Sequence, residues 1–388
     1  MNDVLKITFI CDDYPTTDRP TNVFVEQLVN SMVDSGISVN VVAPQSVIHN
    51  IVRHNNFLPK ISTVSTKSGN KYRVYRPFNL SFGGKFNLFK PLVLFYNRYS
   101  IIKVIKNFKT DVLYAHFWHN SRKISKYARE NNIPLFVACG EGDDALDKMI
   151  KSISYKDKKE LVDSITGVIS VSSENKRKCV ENGLVSEDNI IIEPNCVNTN
   201  IFYHQDVTEL KTQLGIKKDD FSIIFVGSFI PRKGPDRLAK AISNLNDKNV
   251  KVMFIGKSFA GYDYDFDCEG IVYKGIVNHD DLPKYLNCAD IFVLPTLKEG
   301  CCNAIVEALA CGIPVISSNR AFNDDILDDT NSIRVDPLDI CALTEAIAFL
   351  RDNKEQRNKM KEVSLDRHQQ YSIYGRALRI LDFIYKKI

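Results

Sequence analysis

DIFVLPTLKEGCCNAIVEALACGIPVISS, residues 290–318, contains a complete strand–loop–helix–strand unit. The apolar run DIFVLPT predicts a buried strand, and after a short polar loop the helix is expected to begin near Cys302 or Asn303. The run PVISS predicts a second strand. A strand, a helix and a strand in this order form a βαβ unit, which implies a parallel sheet.

The same plan occurs in both halves of the chain. In the first half, the strand LKITFI (5–10), a helix over 22–36 and the strand ISVNVVAP form one βαβ unit. In the second half, the strand FSIIFVG (221–227) and the helix PDRLAKAISNL (235–245), with Pro at its first turn, begin another. Further strands in the first half are predicted at DVLYAHF, PLFVAC and TGVISVS.

A chain of 388 residues is too long for one ordinary core, so two domains are expected. We predict an α/β fold with two Rossmann-like, doubly wound domains that face each other across a cleft. The first comprises residues 1–203 with the C-terminal helix 371–388, and the second comprises residues 204–370. Ligands of such sheets bind at the carboxyl ends of the strands, where the loops gather.

The composition excludes several classes of protein. Ten cysteines occur without a CxxC pair, which indicates reduced thiols of a cytosolic protein and neither a disulfide framework nor a zinc site. The N-terminal run MNDVLKITFICDD is not typical of a signal peptide. No apolar stretch approaches the roughly 20 residues that a membrane-spanning helix needs.

The net charge of +4 conceals a strongly basic segment, residues 60–110, with eleven Lys or Arg and no Asp or Glu. Aromatic residues are interspersed with these cations. One interpretation is a solvated basic surface with buried aromatics, and another is a face that contacts anionic lipid head groups. Nucleic acid is a third option, but no nucleic-acid-binding motif accompanies the charge.

Two glutamates flank the start of the helix in 290–318. Glu299 lies in the loop after the strand and Glu307 about one turn inside the helix. The amides of residues 301–304 lie near the helix N-terminus, which favours an anion, and Gly300 permits close approach of a ligand. The pair suits a ligand with hydroxyl groups and phosphate, although either glutamate alone is more typical of an exposed charge.

The loop SFIPRKG after the strand 221–227 places Arg232 and Lys233 just before a helix. Arg provides a planar fork of donors and Lys a mobile point charge, and together they suit a diphosphate. The pair by itself is a weak signal, but with the glutamates it indicates a phosphate-containing ligand.

Three stretches carry a resemblance to a known family: FVGSFIPRKGPDRLAKAI, VYKGIVNHDDLPKYLNCADIFVLPTLKEGCCNAIVEALACGIPVISS and GVISVSSENKRKCVENG with IEPNCVNTNIF. They resemble the retaining glycosyltransferases of the family-4 type, which have the GT-B fold. The resemblance implies transfer of a sugar from a nucleotide-diphosphate sugar, with UDP as the expected nucleotide, and no metal or other cofactor. It also implies that the last helix crosses back onto the first domain.

The resemblance assigns roles to individual residues. Glu307 is expected to bind the ribose and Glu299 the transferred sugar, while Arg232 and Lys233 stabilise the leaving diphosphate. Expected catalytic residues are Glu299, Arg232, Lys233 and His116, and expected donor-binding residues are Gly227, Arg232, Lys233, Val277, Gly300, Cys301, Cys302, Asn303, Ala304 and Glu307.

The first half departs from the family pattern. Its first loop has no glycine, and Asn22 stands where the family often has one, although Asn tolerates left-handed backbone angles. Where the family often has His-Gly-x-Asp, the chain has Cys139 followed by Gly-Glu-Gly-Asp, so Glu141 and Asp143 are candidates for the acceptor or donor loop. His116 and, less strongly, His119 are expected at the ligand.

The acceptor is expected to be a lipid-linked or nascent surface polysaccharide or glycolipid. The protein is then expected in the cytoplasm, peripheral to the inner face of the membrane through residues 60–110, with no nucleic-acid partner. Two alternatives stay open at this point. One is a nucleotide-sugar epimerase on the same fold, and the other is a degenerate transferase that acts as a non-catalytic binding or partner subunit.

Overall fold

The structure is a computed structural model that describes residues 4–16, 22–52, 54–80, 90–142, 145–258 and 264–388. The predicted site residue Asp143 lies outside these ranges, as do Phe82, Lys85, Phe86 and Phe89 of the basic segment.

The chain divides into two compact units. Unit 1 comprises Met1–Glu193 with Arg376–Ile388, and unit 2 comprises Pro194–Gly375. The chain thus passes between units at Glu193, where the sequence placed the boundary at residue 203, and again at Gly375, where it placed the boundary at 370. The Glu193 carbonyl accepts hydrogen bonds from the Arg376 guanidinium, which holds both crossing points in unit 1.

The strands follow the predicted apolar runs. In chain order they are β1 (Lys6–Ile10), β2 (Ser38–Val42), β3 (Gln45–Ser46), β4 (Ile61–Ser65), β5 (Lys71–Tyr75), β6 (Phe78–Asn79), β7 (Val112–His116), β8 (Leu135–Cys139), β9 (Gly167–Ser170), β10 (Ile190–Ile192), β11 (Phe221–Val226), β12 (Val250–Ile255), β13 (Ile271–Gly275), β14 (Ile291–Leu294), β15 (Val315–Ser318) and β16 (Ser332–Val335).

The helices connect these strands and pack on the sheets. They are α1 (Val23–Asp34), α2 (Val47–Val52), α3 (Lys90–Ile105), α4 (Trp118–Glu130), α5 (Ala145–Ser152), α6 (Tyr155–Val162), α7 (Ser173–Glu181), α8 (Thr208–Gln213), α9 (Pro235–Leu245), α10 (Leu282–Asn287), α11 (Asn303–Ala310), α12 (Ile340–Asp352), α13 (Lys354–Asp366) and α14 (Ile373–Lys387). The bounds of α9 are those predicted, and α11 begins at Asn303, one of the two predicted positions.

Unit 1 contains an eight-stranded sheet in the order β10-β9-β8-β7-β1-β2-β5-β4. All of its pairs are parallel except β4 with β5. The central strands β7 and β8 are buried along their whole length, because helices cover both faces of a parallel sheet. The strand order reverses between β1 and β7, so the loops that follow these two strands diverge to opposite sides.

Unit 2 contains a six-stranded parallel sheet in the order β13-β12-β11-β14-β15-β16. Its strand order reverses between β11 and β14. A close approach of two strand ends requires glycine here, because Gly256 has φ 153° and a Cβ atom at this position would lie 1.9 Å from the Gly227 carbonyl oxygen.

The basic segment 60–110 is less uniform than its composition indicated. Its first part forms the antiparallel pair β4–β5 at the edge of the unit 1 sheet, and Tyr72 and Arg76 are buried there. Arg76 donates to the Ser62 hydroxyl, and Arg98 on α3 donates to the carbonyl of Arg122. At least these two of the eleven cations are therefore structural.

The C-terminal helix α14 ends in unit 1. Arg379 forms an ion pair with Glu193, and the Phe383 ring packs edge-on against Phe136. No helix in the described ranges combines the length and the apolarity needed to cross a bilayer.

Candidate functional site

The first group of predicted site residues lies at the carboxyl edge of the unit 2 sheet. The loop after β11 carries Arg232 and Lys233, and the loop after β14 carries Glu299. Because the strand order reverses between β11 and β14, these two loops border a crevice, which is where doubly wound sheets bind their ligands.

The two loops are hydrogen-bonded to each other. The Leu297 amide donates to the Arg232 carbonyl at 2.8 Å, and the Arg232 guanidinium Nη1 donates to the Lys298 carbonyl at 2.6 Å. These bonds hold Arg232 in place through both its backbone and its side chain.

Arg237, a buried arginine that the sequence analysis missed, donates hydrogen bonds to backbone carbonyls of both loops. It lies in the first turn of α9 and is 8 % exposed. Its guanidinium donates to the Pro231 carbonyl at 2.8 Å and to the Pro295 carbonyl at 2.7 Å, and it also contacts the Arg232 carbonyl at 3.3 Å. The position of Arg237, four residues after Lys233, can be read from the sequence, but its contact with the Pro295 carbonyl cannot.

The structure brings Glu299, Arg232 and Lys233 together, and Glu299 contacts both cations directly. Glu299 Oε1 lies 2.8 Å from Arg232 Nη1 and 2.7 Å from Lys233 Nζ. The same oxygen accepts a hydrogen bond from the Thr296 hydroxyl at 2.7 Å. One carboxylate oxygen thus balances two cations in a partly buried position.

Lys233 is the more enclosed of the two cations. Burial opposes its charge, but the neighbouring Cys302 sulfur and the Glu299 carboxylate outweigh burial and raise the pKa of Lys233. Gly227 lies alongside, since a Cβ atom there would lie 3.5 Å from the Lys233 side chain. Lys233 is therefore charged at neutral pH and has a glycine next to it.

The helix α11 begins beside these cations. Its N-cap residue is Cys302, which is buried and provides no side-chain cap, so the first-turn amides have no capping oxygen. Asn195 holds this turn by donating to the Asn303 side chain at 2.8 Å and to the Cys301 carbonyl at 3.2 Å. Gly300 is buried, and Cys301 and Ala304 pack against the core.

Glu307 is buried on α11 and has a partner that the sequence analysis missed. Its Oε1 lies 3.2 Å from His279 Nε2, and the His279 ring packs against Phe202. Burial lowers the pKa of His279, but the hydrogen bond to Glu307 and the charges of Glu307 and Asp280 outweigh burial and raise it. Val277, two residues before His279, is half-buried against the core and lines a cavity of about 560 Å³.

A second group of predicted residues lies at the carboxyl edge of the unit 1 sheet. His116 is the last residue of β7, beside the reversal of strand order, and its ring lies between those of Phe24 and Phe117. Burial lowers the pKa of His116 to about 3. The imidazole is therefore neutral at physiological pH.

Asp12 follows β1 and contacts the start of α4, a contact that the sequence analysis did not find. Its carboxylate lies 2.5 Å from His119 Nε2 and 3.5 Å from Lys123 Nζ. Burial raises the pKa of Asp12, but the hydrogen bond and charge of His119 and the charge of Lys123 outweigh it and lower the pKa to about 2. The cluster carries a permanent carboxylate charge.

Glu141 binds the N-terminus of α4. Its Oε1 accepts a hydrogen bond from the Trp118 amide at 2.7 Å, whereas Oε2 is buried and has no partner among the described residues. Burial raises the pKa of Glu141 to about 7, although the Trp118 amide opposes this shift. Phe117, the residue immediately before α4, has a φ of 80°, which is unusual for a bulky residue.

The remaining predicted positions in unit 1 differ in kind. Asn22 has φ 53° and ψ 37°, a left-handed conformation that Asn adopts more readily than most residues. Cys139 lies in the core, with its sulfur 3.6 Å from that of Cys179, and burial and this contact keep it a thiol. Across the described part of the chain, no three His, Cys, Asp or Glu side chains cluster in a way that could hold a metal ion.

Part of the chain matches a known protein family, and several known proteins resemble longer parts of it. Residues 206–366 match the family "Glycosyl transferases group 1", which spans the β11–β16 sheet and its site. A Bacillus subtilis protein named as the teichuronic acid biosynthesis glycosyltransferase TuaC is 26% identical over 354 residues, covering 88% of each chain. An Escherichia coli UDP-Gal:α-D-GlcNAc-diphosphoundecaprenol α-1,3-galactosyltransferase is 26% identical over 270 residues, covering 66% of this chain and 70% of its own.

Solved structures confirm the predicted fold class, GT-B with two α/β domains. Sucrose-phosphate synthase from Thermosynechococcus elongatus superposes with a TM-score of 0.78 at 16% identity and covers 98% of each chain. HepE of Anabaena, in complex with UDP, has a TM-score of 0.74 at 15% identity and covers 98% of this chain and 100% of its own. At such identities the likeness concerns the fold alone.

Replacing Arg237 tests its support of the two loops. Arg237→Met leaves the carbonyls of Pro231, Arg232 and Pro295 without their donor, so the free energy of unfolding of unit 2 should fall by roughly 3 kcal/mol. Arg237→Lys restores a charge but not the fork, and an intermediate loss is expected. Denaturant unfolding measures both variants, and an unchanged midpoint for Arg237→Met would contradict the assignment.

Glu141→Gln tests the protonated carboxyl group. An unfolded glutamate ionises near pH 4.5, but Glu141 stays protonated in the folded protein up to about pH 7. Folding therefore takes up a proton in this window, and the stability of the native protein falls as pH rises through it. The variant lacks this titration, so its stability relative to the native protein should rise by up to roughly 3 kcal/mol between pH 4.5 and 7.

Thermal unfolding at half-unit pH intervals measures the difference, with Glu130→Gln, an exposed substitution on α4, as the matched control. Parallel pH profiles for Glu141→Gln and the native protein would show that the carboxyl group is ionised at neutral pH.

Proposed function

We propose that this chain, a glycosyltransferase with a glycosyl transferases group 1 domain, moves a sugar from a nucleotide-diphosphate sugar to a lipid-linked acceptor. UDP is the nucleotide of the donor, and the reaction belongs to polysaccharide or glycolipid biosynthesis. The configuration at the sugar carbon is retained. No metal or other cofactor takes part.

The contact of Glu299 with both Arg232 and Lys233 supports this proposal most directly. Two cations on one carboxylate oxygen exceed what that carboxylate can neutralise, so the site carries an excess positive charge. A diphosphate supplies the complementary charge and accepts the bidentate donors of an arginine. The cations thereby fill the role that a metal ion has in other phosphate sites.

The reaction needs charge stabilisation on the leaving group. As the bond between the sugar carbon and the diphosphate oxygen breaks, negative charge develops on the diphosphate, and Arg232, Lys233 and the first-turn amides of α11 stabilise it. The acceptor oxygen forms its bond to the same face of the sugar carbon. The acceptor proton passes to an oxygen of the departing diphosphate, so no protein nucleophile is needed.

Glu299 and Glu307 orient the donor. When the diphosphate binds the two cations, the Glu299 carboxylate can accept hydrogen bonds from the hydroxyls of the sugar. Glu307, which His279 holds at 3.2 Å, accepts the hydroxyls of the ribose. Because His279 occupies only one oxygen of Glu307, the other is available for the ligand.

Unit 1 is proposed to carry the acceptor. His116 is a neutral hydrogen-bonding group at the strand ends, and Glu141 holds a proton near neutral pH. Two of the relatives are named for teichuronic acid biosynthesis and for a diphosphoundecaprenol-linked sugar. A lipid-linked saccharide is the acceptor class that agrees with both.

A lipid-borne acceptor requires access to a membrane surface, and α3 provides an apolar face for it. Leu92 and Phe95 are 66% and 67% exposed, and Leu94 and Tyr99 are exposed beside them. Lys103 lies over the Tyr99 ring, and Lys106, the residue after the end of α3, is also exposed. Exposed apolar side chains next to cations suit the interface of an anionic bilayer, so we place the protein at the periphery of the cytoplasmic membrane face.

Nucleotide binding and transfer test the donor site. UDP at about a hundred times its Kd should stabilise the protein by roughly 2.7 kcal/mol, seen as a raised Tm. Arg232→Ala should abolish this shift and lower the transfer rate about 10²–10³-fold, because one donor to the developing charge is lost. Glu307→Ala should also abolish the shift, and EDTA should leave the rate unchanged.

Lys240→Ala, an exposed substitution on α9, is the matched control and should behave as the native protein. A shift with GDP and none with UDP would overturn the choice of base, and NMR detection of an inverted product would overturn retention. Epimerised donor formed without acceptor would favour the epimerase. No shift with any nucleoside diphosphate would favour a non-catalytic partner subunit.

Vesicle co-sedimentation tests the membrane face. Leu92→Ala/Phe95→Ala removes two apolar side chains from the bilayer interface, so affinity for vesicles with phosphatidylglycerol should fall at least about tenfold. Lys103→Gln/Lys106→Gln should weaken binding to anionic but not to neutral vesicles, since each cation contributes about 1 kcal/mol at an anionic surface.

Tyr155→Ala is the matched control, because Tyr155 is an 84% exposed aromatic residue on α6, elsewhere in unit 1. Equal binding of the Leu92→Ala/Phe95→Ala variant and the native protein would show that α3 does not contact the membrane.

A further inference from the structure

A second cavity in unit 2 lies at the edge of the sheet opposite the donor site. Asp290 precedes β14 and Pro314 precedes β15, so both mark the amino-terminal edge of the parallel sheet. The cavity there has a volume of about 190 Å³. A strand of six residues such as β11 is about 20 Å long, which separates this cavity from the loops that carry Arg232 and Glu299.

Four cations line this cavity. Lys354, Arg357 and Lys361 come from α13, where spacings of three and four residues place them on one face of the helix, and Lys211 comes from α8. Within the described ranges, none of the four forms an ion pair with a carboxylate. The cluster, named here the amino-edge basic cluster, is therefore crowded with like charges.

Hydrogen bonds orient part of the cluster. Lys361 Nζ lies 3.1 Å from Nε2 of His204, and His204 Nδ1 lies 3.0 Å from the side-chain oxygen of Asn287. An imidazole that donates from Nδ1 to the amide oxygen can accept at Nε2, which is the arrangement that orients Lys361 Nζ here. Arg357 donates from Nη1 to the carbonyls of Leu350 and Arg351 at the end of α12.

Among the described residues that line the cavity, the one carboxylate, Asp290, already accepts hydrogen bonds. Asp290 Oδ2 accepts hydrogen bonds from the Ser222 amide and hydroxyl, both at 2.8 Å. Asp290 favours the charged form of Lys361, yet burial and the charge of Lys211 outweigh it and lower the pKa of Lys361. The cavity therefore retains an excess of positive charge that side chains of the described residues do not neutralise.

We propose that the amino-edge basic cluster binds a small phosphate-class anion in this cavity, at a site separate from the donor site. The convergence of Lys211, Lys354, Arg357 and Lys361 on this cavity, with one engaged carboxylate, is the basis of the assignment. The volume holds a phosphate group and a few water molecules, which each occupy about 30 Å³ in the liquid. Three ammonium groups and a guanidinium suit the oxygens of phosphate.

Calorimetric titration of the full chain with inorganic phosphate, in chloride buffer at constant ionic strength, tests the site. Saturable binding is expected, and Lys361→Met and Lys211→Met should each weaken it at least tenfold, because each removes a charged donor. Both variants relieve charge repulsion, so their Tm without phosphate should equal or exceed that of the native protein. Arg232→Ala should retain this binding, which separates it from any phosphate held at the donor site.

Lys359→Met is the matched control, since Lys359 lies on α13 but pairs with Glu355 away from the cavity. It should leave the affinity for phosphate unchanged. The proposal is overturned if the native protein shows no saturable phosphate binding, if Lys361→Met and Lys211→Met bind as the native protein does, or if Arg232→Ala alone abolishes binding.

Discussion

The reversal of strand order between β11 and β14 is the constraint on which the proposed donor site depends. Because both strands are parallel and adjacent, their following loops leave the same edge and border one crevice. Arg232 and Lys233 enter it from one loop and Glu299 from the other. The same constraint acts in unit 1 between β1 and β7, where it brings Asp12 to the helix that carries His119.

Charge balance then decides which side chains occupy the unit 2 crevice. The Glu299 carboxylate lies between Arg232 and Lys233, and without it two cations would face each other in a partly buried position. The loop that carries Arg232 and Lys233 is held in turn by hydrogen bonds to its backbone carbonyls, chiefly from the guanidinium of the buried Arg237. The hydrogen bonds between carbonyls and a guanidinium therefore hold the charged side chains in fixed positions, which is the arrangement needed to stabilise charge that develops on a ligand.

Unit 1 uses burial instead of ion pairing for two of its site residues. Burial keeps His116 neutral and raises the pKa of Glu141 to about 7, so neither brings a full charge to the strand ends at neutral pH. The permanent charges of this edge belong to Asp12 and Lys123. Unit 2, by contrast, has cations at both edges of its sheet. Arg232 and Lys233 lie at the carboxyl edge, and the amino-edge basic cluster lies at the other.

The sequence by itself determined the two α/β domains, the βαβ order, the bounds of α9, the start of α11 and the family motif, because apolar periodicity and helix-start signals are local. The edge hairpin β4–β5 was not predicted, because β4 has only two apolar residues among Ser and Thr, and Lys71 and Arg73 of β5 were interpreted as part of a basic segment. The roles of Arg237, His279 and Asp12 were decided only by the tertiary structure. Arg237 contacts the Pro295 carbonyl 58 residues away and Asp12 contacts His119 107 residues away, and only strand order and register determine such distances.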